Sequence, residues 1–238
     1  MNKRILCFLF SVSISLIVTA QRMQFNSLTV NDGLSQHDVS EIIQDSEGFI
    51  WIGTYDGLNR FDGYEIESFF HDNNNSQSLS SNRIRCLFED NKKRIWIGTD
   101  GYGLSYYSLI DGEVSRVNAP DNYEIINDIR LDSNGELIVA TTQGLFKVIE
   151  NEEASFSVEI LQTPITGLDV KQFRFLKNGD VVYATDMGVW LNQNNQFSLI
   201  KNSDYLSFTS IIETSNGEIW VGGVNGLYQI VNNTLISL

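Results

Sequence analysis

The sequence of 238 residues is poor in several residue types that mark particular protein classes. It has 2 prolines, 2 cysteines and 2 histidines. So few Cys and His residues leave little for a disulfide framework or a Cys/His metal site. The low proline content and the 18 glycines rule out collagen-like and low-complexity structure. Because 42% of the residues are apolar, the chain is not a disordered tail, and it is long enough to bury a sizeable core.

Positive charge is scarce as well. The 16 Lys and Arg residues face 30 Asp and Glu residues, which gives a formal net charge of −14. A surface this acidic repels phosphate backbones and anionic lipid headgroups. We therefore expect no nucleic-acid partner and no membrane contact by the mature segment itself.

One long apolar run is present, and it lies at the N-terminus. Lys3 and Arg4 precede apolar residues at 5–18, and small residues end at Ala20. The run of about 14 residues is shorter than the roughly 20 that a membrane-spanning helix needs. The pattern predicts a cleaved signal peptide at 1–20 and export to the periplasm; an uncleaved anchor is the alternative.

An internal repeat dominates the rest of the chain. Its first copy reads DSEGFIWIGT at 45–54, and counting from Trp51 the five copies step by 45, 42, 44 and 38 residues. This spacing is typical of propeller blades with four strands each. The recurring residues, which we assign a structural role, are Asp45, Gly48, Trp51, Gly53, Gly57, Asp90, Trp96, Gly98, Gly103, Asp132, Gly135, Gly144, Gly179, Gly188, Gly217, Trp220, Gly222 and Gly226.

Each recurring residue type has a physical interpretation. The aspartate caps a tight hairpin turn and the glycine three positions later takes a positive φ. The tryptophan is interpreted as core between blades, and the small residues after it allow neighbouring blades to approach closely. Two departures stand out: Ile138 and Val182 replace the tryptophan in copies three and four, and Lys92-Lys93 replaces the turn glycine of copy two.

The fold class predicted is all-β, a β-propeller of about five four-stranded blades over residues 21–238. An additional strand is predicted at 23–29, before the first blade. Since the fifth copy ends in its own strand, the ring looks unfinished and the natural reading frame is expected to be longer. The rival is a five-bladed ring in which the two end segments compete for one edge. The predicted repeats lie at 39–70, 84–117, 126–161, 170–200 and 208–238.

The pattern Asp-x-x-Gly-x-Ile-Trp-Ile-Gly-Thr-x-x-Gly-Leu resembles the two-component regulator propeller repeat. The segments at 28–35 and 78–82 are also similar to blade junctions of that family. The resemblance covers roughly residues 23–238 and is strong in the first two copies and weaker in the third and fourth. It implies that this chain is an incomplete part of a seven-bladed propeller.

The resemblance also implies a function. Members of the family are periplasmic sensors of hybrid two-component systems in bacteria that degrade polysaccharides, with paired propellers, a β-sandwich, an inner-membrane helix and cytoplasmic kinase, receiver and DNA-binding parts. It implies an oligosaccharide ligand and a homodimer formed through downstream domains that this chain lacks. A propeller coupled to another output, such as a nucleotide cyclase, and a decayed or truncated gene stay open as alternatives.

Candidate ligand-binding residues are assigned to one rim. In a four-stranded blade, the turns between the second and third strands share a rim with the loops between blades, including the polar loop at 71–82. Aromatic, amide and carboxylate groups there suit carbohydrate hydroxyls, and an ordinary solvated rim is the alternative. The predicted ligand-binding residues are Tyr55, Asp56, Asp100, Tyr102, Gln143, Asp186 and Asn225.

No enzymatic activity, cofactor or metal is expected. The recurring aspartates occupy one turn position in separate blades and cannot converge as a catalytic pair. Neither His37 nor His71 pairs with a nucleophile in a known motif, and Cys86 is interpreted as a buried strand residue. The alternative is a secreted hydrolase or lyase acting on carbohydrate, because Asp-x-x-Gly-x-x-Trp is similar to the aspartate-box turns of sialidases; the arginines, however, form no repeated rim set.

Overall fold

The computed structural model describes residues 27–151 and 155–237. Twenty strands form five four-stranded antiparallel sheets, and a short 3-10 turn at Val30–Asp32 precedes them. The strands are β1 (Val39–Gln44), β2 (Ile50–Thr54), β3 (Gly57–Phe61), β4 (Ile66–Phe69), β5 (Ile84–Glu89), β6 (Arg94–Thr99), β7 (Leu104–Ser108), β8 (Val114–Val117), β9 (Ile126–Leu131), β10 (Leu137–Thr141), β11 (Gly144–Glu150), β12 (Phe156–Leu161), β13 (Val170–Phe175), β14 (Val181–Thr185), β15 (Gly188–Gln193), β16 (Gln196–Leu199), β17 (Phe208–Glu213), β18 (Ile219–Gly223), β19 (Gly226–Val231) and β20 (Thr234–Ser237).

The sheets are arranged as blades around an axis. Blade one contains β1–β4, blade two β5–β8, blade three β9–β12, blade four β13–β16 and blade five β17–β20. The first strand of each blade packs against the first strand of the next, so these strands lie innermost. The prediction of an all-β propeller with five four-stranded blades is confirmed, and the seven-bladed ring stays a prediction.

Two predicted N-terminal features fall largely outside the described residues. The signal peptide at 1–20 does so entirely. Of the additional strand at 23–29, residues 27–29 are described and belong to no strand; they lead into the 3-10 turn. The segment that follows packs on blade one, because Leu34 is buried and the Ser35 N–H donates to Asn59 Oδ1 at 2.9 Å.

The recurring aspartate joins a turn to the core. Asp45 Oδ1 accepts two backbone N–H groups of its own turn, both at 2.9 Å, and Oδ2 accepts the Trp51 Nε1–H at 2.7 Å. Asp90 makes the same contacts, and the Trp96 Nε1–H donates to its Oδ2 at 2.8 Å. One carboxylate therefore stabilises the hairpin and satisfies a buried indole N–H.

The turn of blade two keeps its shape without the glycine. Lys93 takes the position of Gly48 and adopts a φ of +59°, against +98° for the glycine. This left-handed conformation costs a residue with a Cβ about 1–2 kcal/mol. Lys93 Nζ also lies 2.9 Å from Glu47 Oε1 of blade one, so the side chain gains a contact between blades.

The tryptophans fill the spaces between blades. Trp51 and Trp96 are 0% and 1% exposed. The Trp51 ring lies 4.9 Å from the Tyr107 ring of blade two, and the Trp96 ring lies 5.5 Å from the Phe156 ring of blade three. Burying side chains of this size is the main stabilising contribution between the sheets.

Small residues beside the tryptophans allow strands of neighbouring blades to approach each other closely. A Cβ on Gly98 would lie 2.5 Å from Cys86 Sγ and 2.6 Å from Ile126 Cγ2 of blade three. Such contacts are far below van der Waals distance, so the close approach of blades two and three requires a glycine at this position.

The outer face of blade five is less well covered. In the described residues no further blade packs on it, and Ile212 and Leu227 are 60% and 50% exposed. Trp220 is half-buried here, in contrast to its counterparts in blades one and two.

Replacing the turn aspartates tests the role of the indole hydrogen bond. Asp45→Ala removes the turn contacts and leaves the buried Trp51 N–H unpaired, while Asp132→Ala removes only the turn contacts, because Ile138 stands at the tryptophan position of blade three. We expect Asp45→Ala to lower the free energy of unfolding by roughly 1–3 kcal/mol more than Asp132→Ala. Urea denaturation of both variants measures this, and equal losses would contradict the assignment.

Candidate functional site

The seven predicted ligand-binding residues lie in the turns between second and third strands, at one end of the propeller. We call this end the turn rim. In blade one, Thr54 Oγ1 donates to the carbonyl of Gly57 at 2.9 Å and accepts the Asp56 N–H at 3.1 Å. Threonines at the same position fix the turns of the next three blades. The turns are 54–57, 99–103, 141–144, 185–188 and 223–226.

A β-bulge lies next to the turn rim in every blade. The register between the first and second strands shifts at the same place each time, between Val39 and Glu41 in blade one. A bulge re-aims the side chain of its extra residue and is frequent beside functional sites. The residues at this position are Ser40, Arg85, Asn127, Lys171 and Thr209.

Three of these bulge residues belong to a network of polar side chains that crosses three blades; we call it the polar network. Arg85 Nη1 lies 3.5 Å from Asp100 Oδ1, and its Nη2 donates to Asn127 Oδ1 at 2.7 Å. Asn127 Nδ2 donates to Asp169 Oδ1 at 2.8 Å, and Lys171 pairs with the other oxygen of that carboxylate. The polar network holds the inner side of the turn rim together.

The predicted carboxylates of the rim all have protein partners. Asp100 pairs with Arg83 at 3.0 Å in addition to Arg85, and its side chain is 20% exposed. Asp56 Oδ1 accepts the Asn82 Nδ2–H at 3.0 Å, and Asp186 Oδ1 accepts a backbone N–H at 3.1 Å. These carboxylates therefore position rim groups first, and a ligand would meet them through their remaining lone pairs.

The other predicted rim residues are open to solvent. Tyr55 and Tyr102 are 50% and 68% exposed, and Gln143 and Asn225 are exposed as well. Arg83 brings one pair together, because it binds Asp100 and its guanidinium lies 5.9 Å from the Tyr55 ring. In the described part of the chain, no side-chain hydrogen bond or ion pair joins Gln143 or Asn225 to the other five.

The polar loop at 71–82 is ordered by an arginine of blade two. Arg116 Nε donates to the Ser78 carbonyl at 2.8 Å, and Nη2 donates to Ser78 Oγ and to two further backbone carbonyls of the loop. His71 Nδ1 lies 2.6 Å from the Leu79 carbonyl. The polarity of the loop was evident from sequence, but its anchor on β8 was not.

The innermost strands bring a balanced charge cluster into the centre. Asp128 Oδ1 lies 3.0 Å from Arg130 Nη2, and its Oδ2 lies 3.6 Å from Arg174 Nη1. Burial raises the pKa of the nearby Glu41 carboxyl, and the charge of Arg130 opposes that rise. Two carboxylates and two guanidinium groups offset each other in charge here, and the Asp128–Arg174 pair joins blades three and four.

Over 27–151 and 155–237, no three His, Cys, Asp or Glu side chains are placed to hold a metal ion. Cys86 is buried, and burial raises the pKa of its thiol, so it is a poor nucleophile. None of the helical residues in those ranges forms a helix long and apolar enough to cross a membrane.

The similarity to a known sequence family lies in the first two blades. The sequence profile of the family described as Two component regulator propeller matches residues 33–56 and 78–101. Each of these two segments is similar to one two-component regulator propeller repeat. A curated relative, Histidine kinase P4 of Formosa agariphila, is 44% identical over 73 residues, which cover 30% of this chain and 5% of that protein.

Solved structures share the propeller fold of this chain. The extracellular domain of BT3049 from B. thetaiotaomicron, named as a hybrid two component system, has a TM-score of 0.75 at 21% identity and matches 89% of this chain and 31% of that one. The extracellular domain of BT4673 from the same bacterium gives 0.72 at 21%, over 91% and 33%. The virginiamycin B lyase of Staphylococcus aureus gives 0.65 at 11%, over 84% and 70%. The chain thus spans about a third of the two extracellular domains.

Neutral substitutions test how much the polar network along the rim stabilises the protein. Arg85→Met removes contacts to two partners from a side chain that is 33% exposed, whereas Arg83→Met removes one pair from a side chain that is 60% exposed. We expect losses in the free energy of unfolding of roughly 1–2 kcal/mol for Arg85→Met and about 0.5 kcal/mol or less for Arg83→Met. Chemical denaturation measures both losses. A larger loss for Arg83→Met than for Arg85→Met would show that the polar network does not hold the rim.

Proposed function

We propose that the chain is the sensory, ligand-binding propeller of a two-component regulator, exported to the periplasm as part of a protein anchored in the inner membrane. The observation that carries this is the pair of repeat matches at 33–56 and 78–101. The names of the relatives support it, since they include a histidine kinase and the extracellular domain of a hybrid two component system. On this proposal the propeller passes its signal to a kinase part of the same protein.

We propose further that the ligand is a glycan breakdown product bound at the turn rim. The exposed rings of Tyr55 and Tyr102 offer flat surfaces on which a sugar ring can stack. Asp56, Gln143 and Asn225 add hydrogen-bonding groups in the same row of turns. Rigid turns that carry aromatic and polar side chains suit a site that recognises hydroxyl groups.

The proposal treats the propeller as a binding module without catalysis. The competing function is a carbohydrate hydrolase or lyase; an enzyme that shares the fold, virginiamycin B lyase, is named for a different substrate. Against it, His71 is engaged by Leu79 and Asn73 within its loop, and Cys86 is buried. Turnover of chromogenic glycosides or of polysaccharide by the purified protein would establish the competing function.

A tyrosine pair tests the rim as the ligand site. Tyr102 lies on the turn rim, while Tyr64, 93% exposed, lies in the turn between β3 and β4 at the opposite end. Isothermal titration calorimetry against an oligosaccharide panel should show a ligand whose affinity falls roughly three- to tenfold with Tyr102→Ala. Tyr64→Ala should leave the affinity unchanged. Absence of binding across the panel, or equal effects of the two variants, would refute a glycan site at the rim.

A further inference from the structure

A cavity lies between blades three and four and extends from the end opposite the turn rim to Thr163, in the loop that leads into blade four. Its volume is about 670 Å³, within the range of small-molecule sites. None of the seven predicted rim residues lines it. Its walls come from both blades and include Ile138 and Leu161 of blade three and Phe175, Tyr183 and Phe197 of blade four.

The equivalent space between blades two and three is largely filled. A cavity of about 240 Å³ remains there, lined by Trp96 and Arg94. Trp96 packs against Phe156, and the Arg94 guanidinium lies 5.1 Å from the Trp96 ring and pairs with Asp90 at 2.7 Å. An indole and a guanidinium together close that interface.

Blade three lacks both of these groups. Ile138 stands at the position of Trp96, and Glu136 stands at the position of Arg94. Blade four also lacks the tryptophan, but there Leu176 replaces the turn aspartate, and Val182 and Leu176 pack in one buried cluster with Leu191. The interface between blades three and four keeps a buried cluster that includes Ile138 and Tyr183, but it lacks the indole and the guanidinium that pack between blades two and three.

Unsatisfied polar atoms point to a ligand in this cavity. The buried atoms Thr163 Oγ1 and Asn192 Oδ1, from two of its lining residues, have no hydrogen-bond partner in the described structure. Asp132 also lines it and keeps its turn contacts through Oδ1, while Oδ2, the atom that accepts an indole N–H in blades one and two, has a single 3.4 Å contact to Asn134. Three lining residues thus have acceptor oxygens to offer, which suits a ligand that carries hydrogen-bond donors.

The apolar wall is suited to a flat ring. Tyr183 and Phe197 stack with their ring centroids 5.7 Å apart, and the ring centroids of Tyr183 and Phe173 are 6.0 Å apart. Burial raises the pKa of Tyr183 to about 12, so its phenol stays neutral. Rigid cavities with apolar and aromatic walls bind small aromatic molecules.

We propose that this cavity binds a small flat aromatic molecule that carries an N–H or O–H donor, in the place that a tryptophan side chain fills at the two preceding interfaces. The ring packs against Ile138, Tyr183 and Phe197. The donor binds Asp132 in the manner of the indole N–H groups that bind Asp45 and Asp90. The site is independent of the rim site proposed above and shares no residue with it.

Indole is the probe that tests this site. Titration of the 238-residue protein with indole, followed by calorimetry and by NMR shifts of the cavity residues, should give a Kd on the order of 0.1–1 mM. Indene has the same shape without the N–H and should bind at least about fivefold more weakly, because it leaves the Asp132 oxygen unpaired. Absence of indole binding up to its solubility limit, or equal affinity for indene, would overturn the proposal.

Three variants locate the binding. Ile138→Trp supplies the missing indole, so indole affinity should fall by at least about tenfold while the midpoint of thermal unfolding rises. Ile160→Trp, on the exposed side of β12, is the matched control and should bind indole as the parent does. If Ile138→Trp does not fold, Asn192→Val decides: it introduces the valine that blade three carries at this position, Val148, and should weaken indole about threefold or more. Unchanged indole affinity in a folded Ile138→Trp variant or in Asn192→Val would contradict the site.

Discussion

The structure depends on one constraint, that each blade must bury the face of its sheet against the next blade. A blade alone would expose the apolar residues of its sheet to water, because only neighbouring blades cover them. Trp51 and Trp96 meet the constraint most fully, because each is buried between two blades and donates its N–H to the aspartate of its own turn. A local hairpin and a long-range packing contact are in this way stabilised by the same carboxylate.

This constraint also decides where binding can occur. The side chains on the strands pack against neighbouring blades. Groups that can contact a ligand therefore lie on the turns and in spaces that this packing does not fill. The turn rim is the first case: Tyr55 and Tyr102 stand exposed on turns that threonine hydroxyls hold in place. The cavity beside Ile138 is the second, since it lies where the repeat has lost its tryptophan.

The features predictable from sequence are those that the repeat encodes locally. The six-residue spacing from Asp45 to Trp51 predicted the hairpin, the blade and the interface, because one strand and one turn contain all of them. The polar network from Arg85 through Asn127 to Asp169 was not predictable. Its residues differ in type and lie about 42 residues apart in sequence, and the sequence does not mark the bulges. The cavity depended on neighbours too: the tryptophan was visibly lost in two copies, but Leu176 fills one of the two interfaces.

Native-state hydrogen exchange tests the dependence of each blade on its neighbour most directly. Local stability follows the burial of apolar contacts around a hydrogen-bonded strand. The account predicts the slowest exchange for amides of β5, β6, β9 and β10, around Trp96, and clearly faster exchange in β18 and β19 of blade five, where Trp220 is half-buried and Leu227 is 50% exposed. Equal protection in all five blades, or slowest exchange in blade five, would show that the sheets are stable without their neighbours and would contradict it.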